Sequence, residues 1–188
     1  MSQPTILVLP GWQNSGPQHW QTVWQDQNPA FLRVQQRDWD APVLAEWVAM
    51  LGEAVERAVP PVVLVAHSLG SITIAHWAKS SQGRSGVVRA ALLVAPADVE
   101  QPDTPWQIQG FGPVPALRLP FASTLVASTN DPYLSIERAQ IFAENWRSQF
   151  FDIGQAGHIN GESGLGDWPD GKRMLRALTE SALTSHML

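Results

Sequence analysis

Ser68 stands in Ala66-His67-Ser68-Leu69-Gly70, directly after the most apolar run of the chain, Val62-Val63-Leu64-Val65, and just before a helical pattern. A serine between strand and helix sits on a tight turn with its hydroxyl exposed, and small residues two places before and after let the two backbones approach. Ala66 and Gly70 meet that need, with alanine where glycine is commoner. The helix that follows would aim its free N–H groups and the positive end of its dipole at the serine, favouring negative charge that develops there. Beside a base, such a hydroxyl could attack a carbonyl.

Five histidines are available as that base. His67 adjoins the serine, and neighbouring side chains in a tight turn point different ways. His19 opens the first helical pattern, His76 lies inside a helix beside Trp77, and His186 falls in a terminal segment expected to fray. His158 lies in the loop Gly154-Gln155-Ala156-Gly157-His158-Ile159-Asn160-Gly161, after the last strand run. That gives the chain order serine, acid, histidine used by strand–turn–helix serine nucleophiles, so His158 is the expected base. Two aspartates follow strand runs ahead of it, Asp131 in Ser128-Thr129-Asn130-Asp131-Pro132-Tyr133 and Asp98 in Ala95-Pro96-Ala97-Asp98. Pro132 and a helix start stiffen the loop of Asp131, which suits an acid that fixes an imidazole tautomer and favours it over Asp98. The oxyanion would need two backbone N–H groups, expected from Leu69 and from Trp12 in Pro10-Gly11-Trp12-Gln13-Asn14.

These loops must be held by a frame, and apolar patterning supplies one. Strand runs at residues 6–9, 32–36, 62–65, 90–95, 124–127 and 150–153 alternate with helical patterns at 19–26, 43–59, 69–79, 135–147 and 172–183. Alternation of this kind calls for an α/β fold: a mostly parallel sheet of about six strands with helices on both faces. Ser135 is an expected N-cap. Residues 96–120 interrupt the alternation with six prolines and the aromatics Trp106 and Phe111. A long stiff loop leaving a strand next to the serine would lie outside the carboxyl ends of the strands, where open sheets bind ligands. Trp106 and Phe111 are expected to line the substrate side of the site, the alternative being that they pin the loop to the surface.

Length and composition bound the rest. The 188 residues suit one domain spanning 1–188 and leave no lid domain, with 44% hydrophobic and 15% charged residues. No cysteine is present, which removes disulfides and thiolate chemistry and fits a cytoplasmic setting. The net charge of −5 without any basic block speaks against nucleic acid and anionic membrane as partners. No pair of histidines has metal-ligand spacing and no glycine-rich phosphate loop occurs, so no metal or cofactor is expected.

The segment Pro10-Gly11-Trp12-Gln13-Asn14-Ser15-Gly16-Pro17-Gln18-His19-Trp20, the serine pentapeptide, Ser128-Thr129-Asn130-Asp131-Pro132-Tyr133, and Gly157-His158-Ile159-Asn160-Gly161-Glu162-Ser163-Gly164-Leu165-Gly166-Asp167-Trp168 together resemble the retinoblastoma-binding-protein-9-like serine hydrolases, a compact branch of the α/β-hydrolases. The resemblance implies a compact α/β-hydrolase fold lacking the first two strands of larger relatives, a Ser68-Asp131-His158 triad, and esterase activity on a small acyl substrate. Binding of pocket proteins through Leu-x-Cys-x-Glu does not carry over to a chain without cysteine. His19, Trp20 and residues 162–168 match the family and are expected to support the active-site loops. Small esters, thioesters and amides stay equally open as substrates, and a non-catalytic binding module on the same fold is the alternative function.

Overall fold

The computed structural model describes residues 3–80, 83–84 and 86–184. Six strands form one sheet: β1 (Thr5–Leu9), β2 (Phe31–Arg33), β3 (Val62–His67), β4 (Val88–Val94), β5 (Ala122–Ala127) and β6 (Gln149–Asp152). Their order is β2-β1-β3-β4-β5-β6, and every neighbouring pair is parallel. The helices are α1 (Trp20–Gln27), α2 (Leu44–Arg57), α3 (Leu69–Ala78), α4 (Ile136–Trp146) and α5 (Pro169–Thr184). The α/β-hydrolase architecture is thus present, with β3 and β4 at its centre.

Alternate strand residues feed two cores, as the period of two requires. Leu7, Leu9, Leu64, Ala66 and Leu93 pack with α2, α3 and α4 through Trp47, Leu51, Ile72 and Phe142. Ile6, Val8, Val63, Val65 and Leu92 pack on the other face with Trp20 and Trp24 of α1 and Leu175 and Leu178 of α5. Strand β3 is buried from end to end, and α3 is buried from Leu69 to Ala75. Strands covered on both sides read as continuous apolar runs, which is why β3 stands out in the sequence.

Element ends differ from expectation for identifiable reasons. Strand β2 spans three residues rather than running to Gln36, because its partner β1 ends at Leu9 and the register closes at Val8 opposite Arg33. Helix α5 starts earlier than residue 172, with Pro169 as its first residue, where a missing N–H costs nothing. Ser135 caps α4, its hydroxyl accepting the Arg138 N–H at 3.1 Å. Among the described residues no helix is long and apolar enough to cross a membrane.

Backbone meets backbone most closely around the site where α3 crosses the end of β1. A β-carbon on Gly70 would stand 2.5 Å from the Leu9 carbonyl oxygen and 2.7 Å from that of Pro10. Those atoms are backbone at the end of a strand held between two neighbours and cannot swing aside. Gly70→Ala is therefore expected to lose about 1–3 kcal/mol of stability through overpacking, read as a lower urea midpoint. An unchanged midpoint would mean the helix shifts freely.

Candidate active site

Ser68 stands between β3 and α3 with φ 52° and ψ −122°, a conformation that side-chain-bearing residues rarely adopt. Its N–H donates to the Val94 carbonyl at 3.0 Å. Gly11 leaves room beside it, since a β-carbon there would come within 2.7 Å of Ser68 Cβ. Ser68 borders a cleft of about 820 Å³ at the carboxyl ends of the strands.

His158 reaches that serine from the loop after β6. Its Nε2 lies 2.9 Å from Ser68 Oγ, and its Nδ1 lies 3.0 and 2.9 Å from the two Asp131 oxygens. An ionised carboxylate only accepts, so Nδ1 carries the proton and the Nε2 lone pair faces the serine hydroxyl. The Asp131 side chain is fully buried. Asp98 takes the other part: it pairs with Arg138 at 3.3 Å, and Arg138 also pairs with Glu100.

Two loops meet to hold this geometry, and residues that sequence reasoning did not single out join them. Ser128 Oγ accepts the Ala156 N–H at 2.9 Å and donates to Asn130 Oδ1 at 2.8 Å. The Gly157 N–H donates to the same Asn130 oxygen at 2.8 Å, and the Thr129 N–H to the Gly154 carbonyl at 2.9 Å. The signal was present in Ser128-Thr129-Asn130, whose side chains favour local backbone bonding.

The loop after β1 is fixed by two polar side chains that were likewise not foreseen. Buried Gln21 donates to the Leu9 and Val65 carbonyls, both at 3.1 Å, and accepts the Ser15 hydroxyl at 2.7 Å. Arg33 forks onto Asn14 Oδ1 and Thr22 Oγ1 at 2.8 and 2.7 Å. Trp12 donates its indole N–H to the Asp40 carbonyl at 2.9 Å. The backbone N–H of Trp12 and that of Leu69 make no hydrogen bond among the described residues. Leu69 opens α3, where the first N–H groups lack helical partners.

Beside the serine, at the cleft wall, lie His19 and His67, both largely buried. His19 caps α1, its Nδ1 accepting the Gln21 N–H at 3.2 Å. His67 donates from Nε2 to the His158 carbonyl at 2.8 Å. Burial, then the neighbouring Arg33 charge, then His158, lowers the His19 pKa to about 3. Burial also drives His67 well below the ordinary value, with His19 and His158 adding to the effect and the bond to the His158 carbonyl opposing it. His76 sits inside α3 and holds the Phe111 carbonyl at 2.8 Å. His186 lies outside the described residues.

The proline-rich loop does wall the cleft, but through Ala97, Thr104, Pro105 and Ile108 rather than the two aromatics expected. Phe111 is fully buried, drawn edge-on against Trp47 of α2 at 5.6 Å, where its ring gains more than at a wet mouth. Trp106 points outward and is 76% exposed. Tyr133, next to Pro132, fills the place instead, its ring 4.8 Å from that of His158. Among the described residues, no cluster of three or more histidine, cysteine or acidic side chains is arranged to hold a metal.

The neutral histidines make stability depend on pH. Unfolded, an imidazole protonates near 6.5; folded, His19 does so only near about 3. Between those values the unfolded chain binds more protons, so stability is fully present above 6.5 and falls as pH drops toward 3, by about 1.4 kcal/mol per pH unit for each such group. His19→Asn, which keeps a capping oxygen, is expected to flatten this slope in urea titrations between pH 7.5 and 5. A slope identical to the parent's would remove His19 from the account.

The chain matches the serine hydrolase family model over residues 6–177. Among solved structures, a YdeN-like hydrolase from Pectobacterium atrosepticum is 33% identical, with a TM-score of 0.84 over 96% of this chain and 92% of that one. The ydeN product of Bacillus subtilis is 15% identical with a TM-score of 0.75, covering 95% and 100% of the two chains. Est1E of Butyrivibrio proteoclasticus, solved with ferulic acid bound, is 10% identical with a TM-score of 0.70, covering 95% and 90%. The last two are similar in fold alone. No curated protein matches. With an α/β-hydrolase fold and a family match over nearly all its length, this chain belongs to the serine hydrolases.

Proposed function

We propose that the protein hydrolyses small carboxylic esters through an acyl-enzyme on Ser68, thioesters and small amides being open to the same chemistry. The observation that carries this reading is the unbroken run of hydrogen bonds from Asp131 through His158 to Ser68 Oγ at the cleft. His158 Nε2 takes the serine proton as Oγ attacks the acyl carbon, while Asp131 keeps Nδ1–H in place. The oxyanion that forms takes hydrogen bonds from the Trp12 and Leu69 N–H groups, which have no other partner among the described residues. His158 then passes the proton to the leaving group, and water repeats the sequence on the acyl-enzyme. Within the serine hydrolases, the segments at residues 10–20 and 157–168 support assignment to the retinoblastoma-binding-protein-9-like branch, and the lack of cysteine supports action in the cytoplasm.

Ser68→Ala is expected to abolish fluorophosphonate labelling and lower kcat by about six orders of magnitude in a folded protein. Asp131→Asn should lower kcat about 10⁴-fold, as expected for an acid that fixes the tautomer, while Asp98→Asn, which loosens an Arg138 pair, leaves it within about threefold. Persistent labelling of Ser68→Ala, or the reverse ranking of the two aspartates, overturns the assignment.

A cleft of about 820 Å³ lies in the range of small-molecule sites. Among the described residues, the strands and helices belong to the one sheet-and-helix frame and none forms a lid to sheathe a long chain. Acetyl and butyryl p-nitrophenyl esters are accordingly expected to turn over faster than palmitoyl, without activation at an interface. A rate that climbs steadily to palmitate would contradict this.

A further inference from the structure

We infer that His67 and Trp20 are positioning residues: together they clamp the strained peptide after His158 and thereby set its reach to Ser68. The inference rests on the acyl-transfer reading. Ile159 has φ 49°, and a β-branched residue in that region is a true backbone outlier. Its side chain is fully buried, so the strain is not relieved by turning it into solvent. The carbonyls on either side of this torsion are both held. The His158 carbonyl accepts from His67 Nε2–H at 2.8 Å, and the Ile159 carbonyl accepts from the Trp20 indole N–H, also at 2.8 Å.

Both donors are rings that cannot follow a moving loop. His67 stands edge-on between His19 and His158, at 4.6 and 4.8 Å between ring centres. Trp20 packs edge-on with Trp24 at 4.7 Å and Trp168 at 5.0 Å, and it is completely buried. Strained backbone persists only where its surroundings over-determine it, and two ring donors on consecutive carbonyls do that here. A relaxed Ile159 would turn the peptide carrying the His158 carbonyl and move the imidazole with it. Trp20 does not line the cleft, so it acts through His158 and not on substrate.

The test compares His67→Phe, His67→Gln, Trp20→Phe and Trp24→Phe in the full chain. His67→Phe and Trp20→Phe each keep a ring and lose the donor. Each is expected to lower kcat by about 10–100-fold with KM within about twofold, since a displacement of 1 Å at a reacting group costs about 10²-fold. The low-field proton resonance of His158 Nδ1–H should broaden or shift in both. His67→Gln, whose amide N–H can reach the same carbonyl, should recover most of the loss. Trp24→Phe removes a part-buried indole bond of the same length, to the Asp167 carbonyl at 2.8 Å, and should cost stability while sparing kcat and the low-field resonance.

Parental kcat and resonance in folded His67→Phe and Trp20→Phe, or a Trp24→Phe loss as large as that of Trp20→Phe, would overturn the clamp. If His67→Phe fails to fold, Trp20→Phe against Trp24→Phe decides. A parent that never reacts with fluorophosphonate defeats the acyl-transfer reading, and the low-field resonance then tests the clamp alone. A reactive parent with variants that react equally fast defeats the clamp.

Discussion

Backbone lies against backbone where β1 and β3 end, with no room for a methyl group at Gly70 or Gly11. That contact brings three things within one small volume: the turn at Ser68, the start of α3, and the loop that carries Trp12. Leu9 stands opposite Ala66 in the parallel register, so the two strands stop together and their loops leave from the same edge. Parallel neighbours also put β4, β5 and β6 in step, and their exits deliver Asp98, Asp131 and His158 to the same side. The site is thus a consequence of sheet register before it is a matter of side chains.

What lies beside the serine is polar yet uncharged. His19 and His67 are kept neutral by burial, so no second positive charge competes beside the imidazole that must take a proton. An isolated ion there would carry a desolvation cost of about several kcal/mol. Their dipoles stay fixed, with Nδ1 of His19 accepting from Gln21 and Nε2 of His67 donating to the His158 carbonyl. The arrangement is not free: His19 Nε2, which must then carry the proton, has no partner among the described residues. An unsatisfied buried donor costs about 1–3 kcal/mol, a local loss the two cores must absorb. On the other wall, Arg138 compensates Asp98, leaving Asp131 as the carboxylate that faces the imidazole.

Elements with strong apolar runs were legible in the sequence, and so was the chain order of Ser68, Asp131 and His158. β3 is read easily because burial on both faces leaves no polar interruption, and α4 because its cap residue carries a specific bond. The proline-rich loop resisted for the opposite reason. Residues 96–120 have neither a period of two nor of 3.6, so no pattern tells which aromatic faces inward. Phe111 went to the core and Trp106 to solvent, and only the position of α2 decides that. Adjacent side chains diverge in a turn, which hides the part of His67 in the sequence: its divergence carries it to the His158 carbonyl. No sequence rule would place a β-branched isoleucine at positive φ, so the strain at Ile159 is visible only in three dimensions.

That strain is part of a distribution. Among the described non-glycine residues with positive φ, Gln13, Asn14, Ser68, Ala95, Ile159 and Trp168 all lie in loops leaving the carboxyl ends of strands, while Arg147 caps a helix elsewhere. Each such residue stores about 1–3 kcal/mol when the conformation is unfavourable, less for asparagine. Together they would unravel the loops if nothing opposed them. The opposition is local and polar: Arg33 on Asn14, Val94 on Ser68, Val126 on Ala95, Trp20 on Ile159. Each strained residue is therefore tied by at least one hydrogen bond, its own or through an immediate neighbour, to an element of the rigid frame. The consequence is directional. Loosening a frame donor frees a loop to relax away from the geometry the chemistry needs, whereas loosening the loop alone leaves the frame intact. Residues such as Arg33, Gln21 and Trp20, none of which lines the cleft, thereby hold the loops that carry the site.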